Sequence, residues 1–367
     1  MEFTWDYFYL ATFFVVAMIT GLLIPKILLI AFRRKLFDET NPRKIHKGAV
    51  PRLGGIAFFP AIQFSILLLF GVSQRFMPGF LQQLMSSSFT QLCFVTTAAI
   101  VLYLVGIADD LIGVKYQAKF AAQLLAALFV ITGGIRIDNL YGLLGIYQLP
   151  FSASILLTIL LIMFITNAVN LIDGIDGLAS GLSAIACAVY GCIFYNAGLH
   201  VYGLLSFSTL GALLPFFYYN VFGNPSHYSK IFMGDTGALF IGLILSVLSL
   251  RICQIGDTGE AMSMAVAAYA PLLIPCFDVV RICLRRMRAH RNPFLPDKDH
   301  IHHKLLALGM GQRTVMVAIV MASLVFILIN CWLSTVININ LLLAVDISVW
   351  IGVNVILSRY FRKRARQ

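Results

Sequence analysis

Residues 151–178, FSASILLTILLIMFITNAVNLIDGIDGL, decide the fold. Nothing charged stands between Phe151 and Asp173. Roughly 20 apolar residues in a helix cross a hydrocarbon core of about 30 Å. The segment therefore reads as a membrane-spanning helix that ends in a polar turn carrying two Asp-Gly pairs.

The rest of the chain repeats this pattern. Of 367 residues, 60% are hydrophobic and 12% charged, half the charge of an ordinary soluble domain. Mean hydropathy is +0.88. These values exclude a soluble globular enzyme, a secreted disulfide scaffold and a chromatin-type basic protein. Apolar runs at 7–32, 53–73, 89–108, 117–134, 151–169, 179–197, 199–220, 237–255, 262–282, 314–332 and 340–358 predict about eleven transmembrane helices. The expectation is an all-α polytopic membrane protein, with residues 1–367 forming one integral-membrane domain. Segment 135–150 alternates around a glycine-bearing turn and suits a small hairpin or an ordinary loop. The seven cysteines are scattered along apolar runs without CxxC spacing, so they read as small apolar residues. Glu2 and Asp6 precede the first apolar run, which argues against a cleavable signal.

An odd number of spans puts the termini on opposite sides, and the distribution of lysine and arginine chooses between the two orientations. Loops at about 33–52, 109–116, 170–178, 221–236 and 283–313, together with the C-terminal tail, hold nearly all of the 27 basic residues. The opposite side holds Arg75, Arg136 and Arg251. The N-terminus is therefore expected outside and the C-terminus in the cytoplasm. The net charge of +11 reports this orientation rather than a nucleic-acid partner.

Carboxylates sort to the same side, which the charge rule does not require. Asp109, Asp110, Asp173, Asp176, Asp235, Asp297 and Asp299 all fall at cytoplasmic helix ends or loops. Charge at a membrane boundary is costly enough to suggest function. In NAVNLIDGIDGL, Asn167 and Asn170 share a helix face, as do Asp173 and Asp176. A capping Asp pair beside a Gly177/Gly181 packing motif is the alternative reading. Asp109 and Asp110 repel each other unless a cation or a lysine shares their site, and Lys115 and Lys119 follow closely. In FMGDTGAL, Asp235 is placed to cap the eighth helix.

Helices two, six and eight start beside glycines, at Gly54–Gly55, Gly174–Gly177 and Gly234–Gly237. Such starts can offer free N–H groups to phosphate. Carboxylates alone would repel phosphate, so a divalent cation is implied, Mg2+ first and Mn2+ second. The segment NPFLPDKDHIHHK places His300, His302 and His303 beside Lys298 and Lys304. Contact with phosphate or sugar fits these histidines, and a zinc site is the alternative. Residues 300–310 suit an amphipathic helix on the membrane surface. Arg285, Arg286, Arg288 and Arg291 suit an anionic membrane. Asp278, after Pro271 and Pro275, lies near enough to the cytoplasmic end to join the site.

In combination, HKGAVPRLGG, ADDLIGVKYQAK, NAVNLIDGIDGL, Asn220, FMGDTGAL and PDKDHIHH resemble the polyprenyl-phosphate N-acetylhexosamine-1-phosphate transferases. The resemblance runs from His46 to about Met310, and the HIHH loop is similar to that of the WecA/TagO branch rather than the related MraY group. It implies transfer of a HexNAc-1-phosphate, by default GlcNAc-1-phosphate, from a UDP-sugar to undecaprenyl phosphate. UMP would be released and a lipid-linked cell-envelope glycan begun at the cytoplasmic face of a bacterial inner membrane. A 6-deoxy HexNAc donor is the main competitor, and a homodimer is compatible.

The resemblance also implies Asp109, Asp110 and Asp235 as catalytic residues, with Asp235 and Asp110 on the metal. For substrate binding it implies Lys47, Lys115, Lys119, Asn167, Asn170, Asp173, Asp176, Asn220, Lys298, His300, His302 and His303. Two positions depart from the family pattern: Lys298 replaces the usual Arg, and Ala238 replaces the usual Ser. Lysine cannot make arginine's bidentate contact to phosphate. A transporter is the rival class, but mid-span charge is limited to Lys26, Asp278 and Asp346, and no internal repeat is visible.

Overall fold

A computed structural model describes residues 5–36, 50–76, 88–255, 261–292 and 299–364. Lys47 and Lys298 lie outside the described residues. The helices are α1 (Trp5–Arg34), α2 (Phe58–Phe76, entered by a 3-10 turn Gly54–Ala57), α3 (Phe89–Ile112), α4 (Tyr116–Thr132), α5 (Phe151–Ile172) and α6 (Leu178–Asn196). They continue as α7 (His200–Phe222), α8 (Gly234–Cys253), α9 (Ala261–Tyr269), α10 (Leu273–Arg288), α11 (Ile301–Ala307), α12 (Gln312–Leu333) and α13 (Ile339–Arg364). Among the described residues, ten helical segments are long and apolar enough to cross a membrane. The eleventh expected span, α4, is an apolar helix of 17 residues, just short of that length. The chain is an all-α polytopic membrane protein.

Two expectations change in detail. The ninth predicted span is α9 and α10 joined by a 3-10 turn, Ala270–Leu272, because Pro271 and Pro275 interrupt the helical hydrogen-bond ladder. The segment 135–150 is a hairpin, with β1 (Asn139–Leu143) antiparallel to β2 (Ile146–Gln148). Asn340, at the start of α13, binds its turn through Gly142 O at 2.8 Å and Leu144 N at 2.7 Å.

Helix α8 is the axis of the bundle, with 89% of its apolar window buried. It packs against α3, α5, α6 and α9. Lipid tails offer no hydrophobic drive between helices, so close backbone approach must supply the packing. Glycines permit it: a Cβ at Gly55 would stand 2.1 Å from Gly237 N, and one at Gly106 2.4 Å from Thr236 Cα. Helix α13, at 22% buried, is mostly outward-facing. The ends of α3 and α5 and the start of α8 thereby meet on one side of the bundle.

Candidate active site

The site is built around the first turn of α8. Asp110, in the last turn of α3, caps that turn: Oδ1 accepts from Asp235 N (2.8 Å), and Oδ2 accepts from Thr236 N (2.9 Å) and Thr236 Oγ1 (2.6 Å). The cap expected from Asp235 thus comes from another helix, and the Asp235 side chain is left to face the site. Lys119 of α4 donates to Asp235 Oδ1 at 3.1 Å and also pairs with Asp109. Asn170 of α5 donates to the same Asp235 oxygen at 2.7 Å. Asp109 Oδ1 accepts from Val114 N at 2.7 Å. Four helices therefore contribute to one knot of three carboxylates, one ammonium and one amide.

The turn after α5 forms the second part. Asp176 pairs with the buried Lys230 at 2.5 Å. Asn220 accepts from Gly177 N (2.6 Å) and donates to Ile231 O (2.8 Å), fastening the turn to the segment before α8. Asp173 has no hydrogen-bond or ion-pair partner among the described residues. Burial, then the charges of Asp176 and Asp235, push its carboxyl up to about 7, against a weaker pull from Arg52.

The histidine helix α11 docks on this turn. Asp278, wholly buried in α10, accepts from His300 Nδ1 (2.7 Å), Ile301 N (3.1 Å) and Arg281 Nη2 (2.7 Å). His302 is wholly buried with both ring nitrogens unbonded, and its ring lies on Gly174, where a Cβ would stand 2.2 Å from Nε2. Burial, then His303 and His300, lower its pKa to about 3, so it is a neutral ring. The rings of His302 and His303 are 4.2 Å apart. Helix α11 inserts Ile301 and His302 into the protein, where the Asp278 carboxylate captures its first turn. Arg285 pairs with Asp299 of the same loop.

Other expected residues divide clearly. Asp109, Asp110, Asp235, Lys119, Asn170, Asp173, Asp176, His300, His302 and His303 gather in these two adjoining parts. Asn167 is engaged in an amide pair with the buried Gln123, at 2.8 and 3.3 Å. Lys115 is exposed at the start of α4. The glycine-lined helix starts offer phosphate less than expected. Gly54 N and Gly55 N donate to Phe232 O and Met233 O, Gly177 N to Asn220, and Asp235 N to Asp110. Close packing, not anion binding, explains those glycines. Gln123, Lys230 and Thr236 join the site without belonging to the expected set. Lys230 carried a signal, as a lone lysine in an otherwise uncharged stretch, 221–234.

Among the described residues, no three His, Cys, Asp or Glu side chains form a cluster able to hold a metal alone. Mg2+ takes one or two protein carboxylates and completes its shell with water and substrate phosphate. Asp235, an all-oxygen donor beside a second carboxylate that already attracts the Lys119 cation, fits such an ion.

The sequence profile of glycosyl transferase family 4 matches residues 92–253, the segment from α3 through α8. The chain is 32% identical over 316 residues to a probable undecaprenyl-phosphate N-acetylglucosaminyl 1-phosphate transferase of Bacillus subtilis, covering 85% of this chain and 82% of the relative. It is 33% identical over 323 residues to a decaprenyl-phosphate N-acetylglucosaminephosphotransferase of Mycobacterium tuberculosis, covering 83% and 77%. It is 31% identical over 299 residues to an undecaprenyl-phosphate alpha-N-acetylglucosaminyl 1-phosphate transferase of Salmonella typhimurium, covering 80% and 75%.

Proposed function

The chain belongs to glycosyl transferase family 4, and on that premise we propose that it transfers N-acetylglucosamine 1-phosphate from UDP-GlcNAc to undecaprenyl phosphate. An oxygen of the lipid phosphate bonds to the sugar-bearing phosphorus, the bond from that phosphorus to the oxygen bridging to UMP breaks, and UMP leaves. The N-terminus is outside and the site faces the cytoplasm, where a water-soluble donor meets a lipid-anchored acceptor.

The single observation that carries this reading is the Asp109–Lys119–Asp235 knot at the meeting of α3, α4 and α8. Two anions must be brought together there, so charge neutralisation and alignment are the main tasks. Lys119 supplies a fixed positive charge between the carboxylates. A phosphate monoester has a second pKa near 6, so much of the acceptor is already a dianion at neutral pH. Asp109 therefore orients the acceptor and takes a remaining proton when one is present. Asp110, with its three donors, fixes the helix end that carries Asp235, a positioning role in place of metal ligation. Asp235 would hold Mg2+, which when bound screens the diphosphate and stabilises the leaving phosphate. Asp173 is an acceptor open to the hydroxyls or N–H of the donor, and the histidine helix closes the site over it.

The test is UMP release by the purified protein in detergent, with undecaprenyl phosphate and a panel of UDP-HexNAc donors that includes a 6-deoxy sugar. UDP-GlcNAc should give the highest kcat/KM, and excess EDTA should stop turnover. A transporter would release no UMP.

A further inference from the structure

The last spanning helix carries polar side chains at a spacing of four residues: Asp346, Trp350, Asn354 and Ser358. Residues four apart fall on one helix face, so these four form a stripe about 18 Å long. The stripe is turned inward, with Asp346, Trp350 and Asn354 at 3%, 7% and 7% exposure, while Leu341, Ile347, Ile351 and Ile356 face outward. A polar stripe in a lipid-facing helix is costly unless its groups find partners.

Each end of the stripe is anchored to a different part of the protein. At the end away from the site, Asn330 of α12 donates to Asp346 Oδ1 at 3.0 Å, and Tyr269 of α9 donates to Asn330 Oδ1 at 3.5 Å. At the site end, Lys304 of α11 donates to Asn354 Oδ1 at 3.4 Å and to Ser358 Oγ at 3.3 Å. Lys304 immediately follows His303. A helix of 7 residues has no stability of its own, so the direction its histidines face is set by whatever holds it. Asp278 holds its first turn, and the α13 stripe holds its second half.

We propose that α13 is a strut for the histidine helix, with Asn354 and Ser358 as positioning residues for donor binding; the donor-binding part rests on the reaction proposed above. Anchored through Asn330 and Tyr269, the strut resists sliding, and Lys304 transmits its register to His302 and His303. This places part of the donor site's support beyond residue 253, where the matched family segment ends.

The test compares Asn354→Leu, Ser358→Ala and Asn354→Asp in the full-length protein, by hydrogen exchange over residues 301–307 and by separate KM values for both substrates. Loss of a hydrogen bond to a charged group should speed exchange in α11 and raise the UDP-GlcNAc KM about fivefold or more, with the undecaprenyl phosphate KM unchanged. Asn354→Asp keeps an acceptor for Lys304 and should stay near wild type. Ser358→Ala, a mild change in a helix, keeps the test open if Asn354→Leu does not purify. Unchanged exchange over 301–307 overturns the strut. Faster exchange with the donor KM within twofold of wild type, or with both KM values rising together, overturns the positioning role. A wild-type protein that releases no UMP counts against the reaction, and the exchange result then still decides whether the strut exists.

Discussion

The junction of α3 and α8 and the turn at 173–177 are neighbours, yet Asp173 in the turn is held unlike any carboxylate of the junction. At the junction every carboxylate has donors: Asp110 three, Asp235 Lys119 and Asn170, and Asp109 Lys119 and Val114 N. At the turn, Asp176 has Lys230, but Asp173 has no partner among the described residues, and both nitrogens of His302 above the turn are unbonded. A buried polar group that is satisfied within the protein is framework, whereas one left unsatisfied is costly unless a ligand completes it. Under the proposed reaction, the junction would set the geometry, and Asp173 and His302 would be the groups that substrate completes.

The largest effect should come from breaking the junction where it faces chemistry. Asp235→Asn should lower kcat by about a hundredfold or more while the protein still purifies. Near-normal turnover would remove Asp235 from the reaction. Next, Gly174→Ala forces a methyl to 2.2 Å from His302 Nε2 and must displace the ring. Because misplacement by about 1 Å can cost about a hundredfold, a loss of about 10- to 100-fold in kcat/KM for the donor is expected. Donor kinetics equal to wild type would show that this contact does not matter.

A third prediction probes the turn through stability. Asp173 has a folded pKa raised to about 7 from its ordinary 3.8. Between those values the folded protein keeps a proton that the unfolded chain releases, so stability falls as pH rises through this window and stays low above it. Without substrate, Asp173→Asn should therefore stabilise the protein at pH 8 by about 1–3 kcal/mol and lose that advantage below about pH 4. Thermal unfolding of Asp173→Asn across pH tests this window, and a stability at pH 8 equal to or below that of the wild type would remove the penalty assigned to the Asp173 charge. The smallest effect is expected at Lys298, outside the described residues: Lys298→Arg should leave the donor KM unchanged or lower it, since arginine binds phosphate bidentately. A severalfold rise in donor KM would count against a phosphate contact.

Helix positions and the clustering of carboxylates on one side were legible in the sequence, because apolar length and charge placement are local properties; of the eleven expected spans, ten reach spanning length among the described residues. Which carboxylate does what was not legible. Asp109 and Asp110 are adjacent in sequence, yet one pairs with Lys119 and the other caps a helix that begins more than a hundred residues later. Asn167 and Asn170 share a helix face by spacing, but only Asn170 reaches Asp235, while Asn167 meets Gln123. The glycines expected to cradle phosphate are points of close packing, a distinction that depends on which backbone or side chain stands opposite each one.

The sequence by itself determined that this is a polytopic helical membrane protein, and its motifs carried the resemblance to a transferase of phospho-sugars onto a lipid phosphate. Both rest on residue type and spacing along the chain. Tertiary structure alone decided that Asp110 is a cap, that His302 lies on Gly174 and that α11 is held by Asp278 and α13. The physical reason is that a polar group's role in an apolar bundle depends on its partner. In a membrane protein that partner commonly lies on another helix, at a distance in sequence that no local pattern encodes.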